Sequence, residues 1–200
     1  NSSYFGIVDT AGFEKDTYYL YRSQWNQDDN TLHLVTAWDS DNMLTNNGKT
    51  PVVVYSNAPK VELYRNGMLI GTATRTVNTT NAGHTYYTYT TSSSDSSICE
   101  AVSASGSSSL YATFNVVYEA GTISAKAYDE SGNEITQTSG NASVSTPGTV
   151  SKLNIQTDKT EILADGSSLA YISVDVTDAN GNLDTTATNT INFSLTGNGE

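Results

Sequence analysis

Residues 61–70 read Val-Glu-Leu-Tyr-Arg-Asn-Gly-Met-Leu-Ile and carry the strongest local fold signal in the chain. The Asn66-Gly67 pair tolerates the positive φ angles that a tight hairpin turn requires. We therefore expect residues 61–64 to fold back on residues 69–74 as a β-hairpin.

Further short segments with apolar alternation and flanking turn residues extend this pattern along the chain. They are residues 32–38, 52–55, 86–90, 110–118, 123–128 with 135–138, 153–157, 162–163, 169–177 and 190–195. Thirteen tyrosines accompany them, and Tyr and Thr fit the half-buried surface of a pleated sheet. The sequence predicts an all-β chain built from sandwiches.

One segment favours a helix instead. Tyr18, Tyr21 and Trp25 fall on one stripe of a helix over residues 14–25, with acidic residues in the first turn. Either this aromatic face packs on the sheet that follows, or its natural partner lies elsewhere.

Two polar stretches separate these elements. Residues 91–109 are mostly serine with small residues, which predicts a mobile surface loop, and residues 140–151 predict a linker. Residues 123–133 and 172–182 share Ile, Ser, Asp, Gly and Asn at matching places, which indicates one strand–turn unit used twice.

The charge balance excludes several partners. The net charge is -12, and no basic residue lies between Arg75 and Lys126. A nucleic acid would be repelled, and an anionic membrane surface is disfavoured. No apolar run approaches the roughly 20 residues of a membrane-spanning helix, so no membrane insertion is expected.

The sequence offers no catalytic constellation. Its 21 acidic residues lie beside turns or on solvent faces of strands, and no serine lies in a nucleophile elbow. His33, between Leu32 and Leu34, is expected on an exposed strand face, and His84 lies near a loop. Cys99 is expected as a small apolar core residue. We predict no catalytic residue, no metal and no cofactor.

Two acidic segments offer the oxygen ligands of a calcium loop. Asp39-Ser40-Asp41-Asn42 is followed by Met43 and Leu44, so it lacks further oxygen ligands in register. Residues 178–182 offer oxygens but are explained as a hairpin turn. Both are interpreted as structural.

Exposed aromatic rings could bind a sugar by stacking on its ring face. The candidates are Trp38, Tyr55, Tyr86, Tyr87 and Tyr89. Alternating tyrosines are more typical of packing pairs between strands, so both interpretations stay open.

A family resemblance covers nearly the whole chain. Tyr-Phe-Gly-Ile-Val-Asp-Thr-Ala-Gly-Phe at residues 4–13 and Tyr-Tyr-Leu-Tyr-Arg-Ser-Gln-Trp at 18–25 resemble the end of the (β/α)8 catalytic barrel in β-galactosidases of glycoside hydrolase family 2. Residues 54–58, 61–67 and 70–71, with 118–122 and 127–129, are similar to the sandwich that follows that barrel. Residues 162–166, 171–172 and 176–182 resemble a bacterial immunoglobulin-like domain of the invasin type.

The resemblance implies a domain plan and a function. Residues 1–30 would be a remnant of the last barrel helix, 31–146 a β-sandwich domain, and 147–200 a partial immunoglobulin-like domain, giving two immunoglobulin-like sandwiches in tandem after a barrel-derived helix. Departures are Glu14 where the family has Pro, Thr-Ala-Trp-Asp-Ser at 36–40 where it has Pro-His-Trp-Asn-Trp, and an insertion before Leu110.

The implied function is that of a non-catalytic accessory region of a secreted, retaining β-galactosidase whose catalytic glutamates lie upstream. Its partners would be the upstream barrel of the same polypeptide and, in a second interpretation as a carbohydrate-binding module, a galactoside. An adhesin-like surface spacer and a β-glucuronidase or β-mannosidase parent are alternatives. The expected location is extracellular or attached to the cell wall, in a Gram-positive bacterium.

Overall fold

The computed structural model describes residues 5–39 and 47–197. The chain divides into two compact units, Asn1–Thr146 and Pro147–Glu200. Most of the described elements are strands in antiparallel sheets, so the all-β prediction is confirmed.

The described part of the first unit holds one α-helix, one 3-10 helix and ten strands. In chain order these are α1 (Asp16–Trp25), β1 (Leu32–Val35), β2 (Thr50–Ser56), β3 (Lys60–Arg65), β4 (Met68–Thr79), β5 (Thr85–Ser93), β6 (Cys99–Ala101), η1 (Gly106–Leu110), β7 (Ala112–Val116), β8 (Thr122–Tyr128), β9 (Glu134–Ile135) and β10 (Ser143–Ser145). No helix among the described residues is long and apolar enough to span a membrane.

The ten strands form two sheets that share one core. The first sheet has the order β1-β2-β7-β6, and the second has the order β10-β8-β3-β4-β5, with β9 also pairing with β8. The largest fully buried side chains come from both sheets, among them Val54, Phe114, Leu63 and Ile123. The first unit is therefore a β-sandwich.

The predicted hairpin lies at the centre of the second sheet. Leu63 pairs with Gly71, and Arg65 pairs with Met68. Asn66 and Gly67 have φ angles of 50° and 79°, which the two-residue turn requires. The hairpin prediction is confirmed.

The helix begins two residues later than predicted. Val8 forms a β-bridge with Glu14, and the Lys15 N–H donates to the Ile7 carbonyl oxygen (3.0 Å), so Glu14 and Lys15 close a turn instead of entering the helix. The inner face of α1 packs on β1, β2 and β5. Strands of both sheets are thus partners of the helix.

The serine-rich stretch is more ordered than predicted. Thr91 to Ser93 belong to β5, where they pair with residues 71–73, and Cys99 starts β6. Their side chains are small enough to fit an edge strand, and the Cys99 side chain fills a place in the core. The loop prediction was therefore wrong for residues 91–93, 99–101 and 106–109, and Leu110, predicted to begin a strand, ends η1 instead.

The predicted linker is also shorter than residues 140–151. β10, at its centre, pairs with β8, and β11 begins at Val150. Because residues 143–145 extend the second sheet, only the few residues after them lie between strands.

The second unit contains β11 (Val150–Thr157) and β12 (Ile172–Asp178), which form a two-stranded antiparallel sheet. The predicted strands at residues 162–163 and 190–195 have no strand partner within the described part of the unit, so these predictions were wrong. A strand requires a neighbour for its backbone hydrogen bonds, which apolar residues alone do not supply.

One five-residue turn recurs at residues 9–13, 129–133 and 178–182. In each, the first-position aspartate accepts hydrogen bonds from the backbone N–H groups two and four positions later, at 2.8–2.9 Å. The N–H of the fourth residue, a glycine, donates to the aspartate carbonyl oxygen. The sequence echo between residues 123–133 and 172–182 therefore corresponds to a shared structure.

Candidate functional site

His33 connects the helix to the sandwich. Its Nε2 lies 2.8 Å from Asp16 Oδ1, and the Asn141 backbone N–H donates to its Nδ1 at 3.0 Å. The ring stacks on Tyr19 with centroids 4.0 Å apart. His33 is 9% exposed, so the prediction of an exposed position was wrong, because α1 covers the outer face of β1.

Gln24 forms a second connection between α1 and the sandwich. Its Nε2 donates to the carbonyl oxygens of Tyr87 (3.1 Å) and Leu110 (3.0 Å), and its Oε1 accepts from the Tyr87 N–H (2.8 Å). These bonds fix the end of α1 against β5 and η1. They define the floor of a groove.

This groove has a volume of about 850 Å³ and lies between the end of α1, the tip of the β4–β5 hairpin and η1. Its apolar and aromatic lining residues are Leu20, Tyr21, Trp25, Tyr86, Leu110 and Tyr111. Its polar lining residues are Gln24, Thr79, Thr80, Asn81 and Ser107. The volume lies in the range of small-molecule sites.

The aromatic rings of the groove are supported by neighbours. Tyr21 and Trp25 contact each other with centroids 4.8 Å apart, and Tyr111 packs edge-on against Tyr55 at 5.5 Å. The Trp25 side chain is nevertheless 76% exposed. The groove therefore presents a large aromatic surface to its interior.

The groove is also lined by polar side chains, none of which is charged. All of its lining residues are uncharged. Within residues 5–39 and 47–197, the side chains of Asn81, Tyr86 and Ser107 make no hydrogen bond, while Thr80 Oγ1 accepts from the His84 N–H at 3.0 Å. The arrangement can stack on and hydrogen-bond a ligand, but it supplies no carboxyl group for acid–base catalysis.

The aromatic residues that the sequence analysis names as candidates for sugar binding do not share one site. Trp38 is 1% exposed and packs on Tyr118 at 5.2 Å, and Tyr87 is buried as well. Tyr89 is buried and donates from its hydroxyl to the carbonyl oxygens of Ser56 and Ala58, both at 2.9 Å, and burial raises its pKa. Of these candidates, Tyr86 alone lines the groove.

Sequence reasoning missed the combination that makes the groove. Tyr21 and Trp25 were recognised as part of a helical stripe, but Asn81 and Tyr111 were not considered. Their proximity arises from contacts among distant parts of the chain, since Gln24 bonds to residues 63 and 86 positions away. No local pattern carries that information.

The remaining predicted residues lie elsewhere. Cys99 is fully buried beside Phe114, which confirms its prediction as a core residue. His84 is exposed at the β4–β5 hairpin tip. Among the described residues, no three His, Cys, Asp or Glu side chains are grouped so that they could hold a metal ion.

The structure describes one of the two acidic segments in full. Residues 40–44 lie outside the described residues. Asp178 directs its oxygens to the N–H groups of Gly148, Asn180 and Asn182 and to the Asn182 side-chain amide. The Gly148 N–H is the main cause, and the Asn182 amide the next, of a pKa well below the usual range for this carboxyl.

Two family models match the chain. Residues 47–136 match "Domain of unknown function (DUF4982)", and residues 153–200 match "Glycoside hydrolase family 2 C-terminal domain 5".

Curated relatives align over both units. The chain is 31% identical over 198 residues to the protein named Beta-galactosidase BoGH2A of Bacteroides ovatus, covering 99% of this chain and 19% of that protein. It is 27% identical over 192 residues to a Beta-glucuronidase of Formosa agariphila, covering 96% of this chain and 16% of that protein. The chain thus spans less than a fifth of each relative.

Solved structures share the fold. A glycosyl hydrolase family 2 member from Bacteroides cellulosilyticus superposes with a TM-score of 0.61 at 22% identity, covering 90% of this chain and 22% of that one. A beta-glycosidase from Bacteroides vulgatus gives 0.57 at 22% identity, covering 90% and 18%. By these family and sequence matches, the chain belongs to the C-terminal region of the glycoside hydrolase family 2 proteins.

Proposed function

We propose that the chain is a non-catalytic accessory region of a secreted family 2 β-galactosidase. The observation that carries this proposal is the alignment with the Bacteroides ovatus β-galactosidase, which runs through 198 residues and includes the helix and both units. Because the chain corresponds to 19% of that protein, the hydrolytic activity is assigned to the remaining polypeptide.

The geometry of the groove supports this division of labour. Retaining glycosidases use two carboxyl groups roughly 5 Å apart, one on each side of the scissile bond. The lining of the groove contains no acidic residue. A sugar that entered the groove would meet aromatic, hydroxyl and amide groups, which bind and do not cleave.

The segment before α1 is the proposed contact with the catalytic region. Phe5 is 96% exposed, and Val8 and Phe13 are also exposed on this segment. The turn at residues 9–13 and the Val8–Glu14 bridge hold it in shape. Exposed apolar clusters of this kind are typical of surfaces that contact another part of a protein.

Hydrolysis of chromogenic substrates tests the proposal. The longer family 2 protein that carries this chain is expected to hydrolyse a β-galactoside faster than the matching β-glucuronide, and the purified chain to hydrolyse neither. Turnover by the purified chain, or preference of the longer protein for the glucuronide, would refute the proposal.

Secretion is tested separately. Fractionation of the source cells, followed by detection with an antibody to this chain, is expected to place the longer protein outside the cytoplasm. Recovery in the cytoplasmic fraction alone would contradict this part of the proposal.

A further inference from the structure

The groove between α1, the β4–β5 hairpin tip and η1 combines features of a sugar site. We propose that it binds a neutral hexose ring, such as the galactose unit of a β-galactoside, without cleaving it. The choice of galactose rests on the proposed function, whereas the choice of a neutral sugar rests on the groove itself.

The stacking surface comes from Trp25. Its indole ring is 76% exposed and is held from one side by Tyr21, with ring centroids 4.8 Å apart. A hexose presents a face of C–H groups that can pack on such a ring, and aromatic side chains supply large contact area for little loss of conformational freedom. Tyr86, on β5, lines the same groove.

The hydrogen-bonding groups come from the hairpin tip and η1. The side chains of Asn81 and Ser107 line the groove and make no hydrogen bond within the described part of the chain. An amide can donate and accept, and so can a hydroxyl, which matches the hydroxyl groups around a sugar ring. Both types of contact needed by a sugar are therefore available in one groove.

The groove is preformed. Gln24 joins α1, β5 and η1 through three hydrogen bonds of 2.8–3.1 Å, which fix the three walls relative to one another. Binding to a preformed site loses less free energy in ordering the protein than binding that must first assemble the site. This matters for sugars, because they bind through few apolar contacts.

The uncharged lining of the groove favours neutral sugars over acidic ones. The lining residues are all uncharged, and the chain as a whole carries a net charge of -12. A uronic acid would bring a carboxylate into a groove that has no cation to pair with it, in a field of the same sign. Neutral galactosides are therefore favoured over glucuronides.

The upstream polypeptide is the competing occupant, since the family resemblance implies that this helix is the last helix of the catalytic barrel. An apolar protein surface over the groove would leave the polar side chains of its lining buried without hydrogen-bond partners. Five of the residues that line the groove, including Asn81 and Ser107, are polar. This composition favours a polar ligand over an apolar protein surface.

The two tryptophans allow a direct measurement of binding. Trp38 is 1% exposed and serves as an unresponsive background, so acrylamide quenching of fluorescence reports mainly on Trp25. Lactose and galactose are expected to shield Trp25 in a saturable way, and sodium glucuronate is expected to leave quenching unchanged.

Calorimetric titration of variants with lactose identifies the residues that bind. Trp25→Ala and, independently, Asn81→Ala are expected to weaken binding about tenfold or more, which corresponds to about 1.4 kcal/mol. Phe193→Ala is the matched control, because Phe193 is an aromatic residue of the second unit with 75% exposure. It is expected to leave the affinity unchanged.

Several results would overturn the proposal. These are no saturable binding of lactose or galactose, unchanged affinity in both groove variants, or equal binding of glucuronate. In the longer protein, the Trp25 signal is the difference in quenching between that protein and its Trp25→Phe variant. Shielding of this signal from acrylamide without any sugar would instead assign the groove to the upstream polypeptide. None of these results affects the hydrolysis test, so the two proposals fail separately.

Discussion

Gln24 on α1 and Tyr87 on β5 exchange two hydrogen bonds, since the Tyr87 N–H donates to Gln24 Oε1 and Gln24 Nε2 donates to the Tyr87 carbonyl oxygen. β5 is the edge strand of the second sheet. The side-chain amide therefore takes the place of a neighbouring strand at this point of the edge. It also protects backbone groups that could otherwise pair with another chain.

Replacing Gln24 tests this role. Gln24→Ala removes all three bonds and leaves the Tyr87 N–H without its acceptor, so we expect the free energy of unfolding of the first unit to fall by about 2 kcal/mol. Gln27→Ala is the control, because the Gln27 amide donates to the carbonyl oxygens of Ser23 and Gln24, on its own helix, and to no other described residue. We expect it to cost less than about 0.5 kcal/mol. Equal losses in urea denaturation would contradict the assigned role.

The hydrogen bonds of His33 predict the position of its ring proton. The Asn141 N–H donates to Nδ1, so the neutral ring must carry its proton on Nε2 and donate it to Asp16. Long-range proton–nitrogen NMR spectra in mildly alkaline solution are expected to show the Nε2–H form for His33. His84, whose ring has no hydrogen-bond partner within the described residues, provides the comparison. An Nδ1–H form for His33 would exclude this geometry.

Two aspartates in turns of the second unit, Asp165 and Asp178, lead us to expect that its local structure is sensitive to acid. Hydrogen bonds from backbone N–H groups lower the pKa of Asp178, and those from Ser167 and Ser168 lower that of Asp165 to about 2. Because these values lie below the ordinary value of about 4, the stabilisation is complete above about pH 4 and is lost as the pH falls towards the folded pKa. We expect the Asn182 amide resonance to shift only in this acidic range.

A substitution separates Asp178 from other acidic groups. Asp178→Asn is expected to abolish the acid-dependent shift of the Asn182 amide, since the replacement does not titrate. Glu161→Gln is the control, because the Glu161 carboxylate is exposed and accepts no hydrogen bond within the described part of the second unit. A persistent shift in Asp178→Asn would show that another group causes it.

Burial predicts that Cys99 is inert. It raises the pKa of the Cys99 thiol to about 11, so little thiolate exists near neutral pH, and the sulfur is fully covered. A disulfide reagent is expected to modify the folded chain slowly and the denatured chain at once. Ser94→Cys, on the exposed loop after β5, provides a reactive control. Prompt modification of Cys99 in the folded chain would contradict the structure.

Local sequence signals predicted much of the sandwich. The turn at Asn66-Gly67 requires positive φ angles, which few residues accept, so its position could be read from two residues. Alternation of apolar and polar residues placed most strands of the first unit, because successive side chains of a strand point to opposite faces. In contrast, His33 alternates with buried leucines and was assigned to solvent, although α1 covers that face. Alternation identifies two faces of a strand but not what covers each.

The groove could not be predicted in this way. Trp25, Asn81 and Tyr111 come from a helix, a hairpin tip and the end of a 3-10 helix that are distant in sequence. Their proximity depends on the packing of α1 against β5. The residues around Gln24 in the sequence do not reveal that its side chain bonds to β5. Trp38, in contrast, was considered as a sugar-binding residue because it is aromatic, yet its ring lies in the core.

The recurring aspartate turn forms mainly through hydrogen bonds among its own five residues, so one copy can replace another. Each copy holds its shape through bonds confined to five consecutive residues, so the flanking strands can diverge without loss of the turn. Swapping residues 129–133 with 178–182 keeps an aspartate at the first position of each turn. It is therefore expected to preserve both ladders in hydrogen-exchange measurements, as well as the bond that the Gly148 N–H donates to Asp178. A duplicated segment can therefore keep the five-residue turn while the sequences of its flanking strands change.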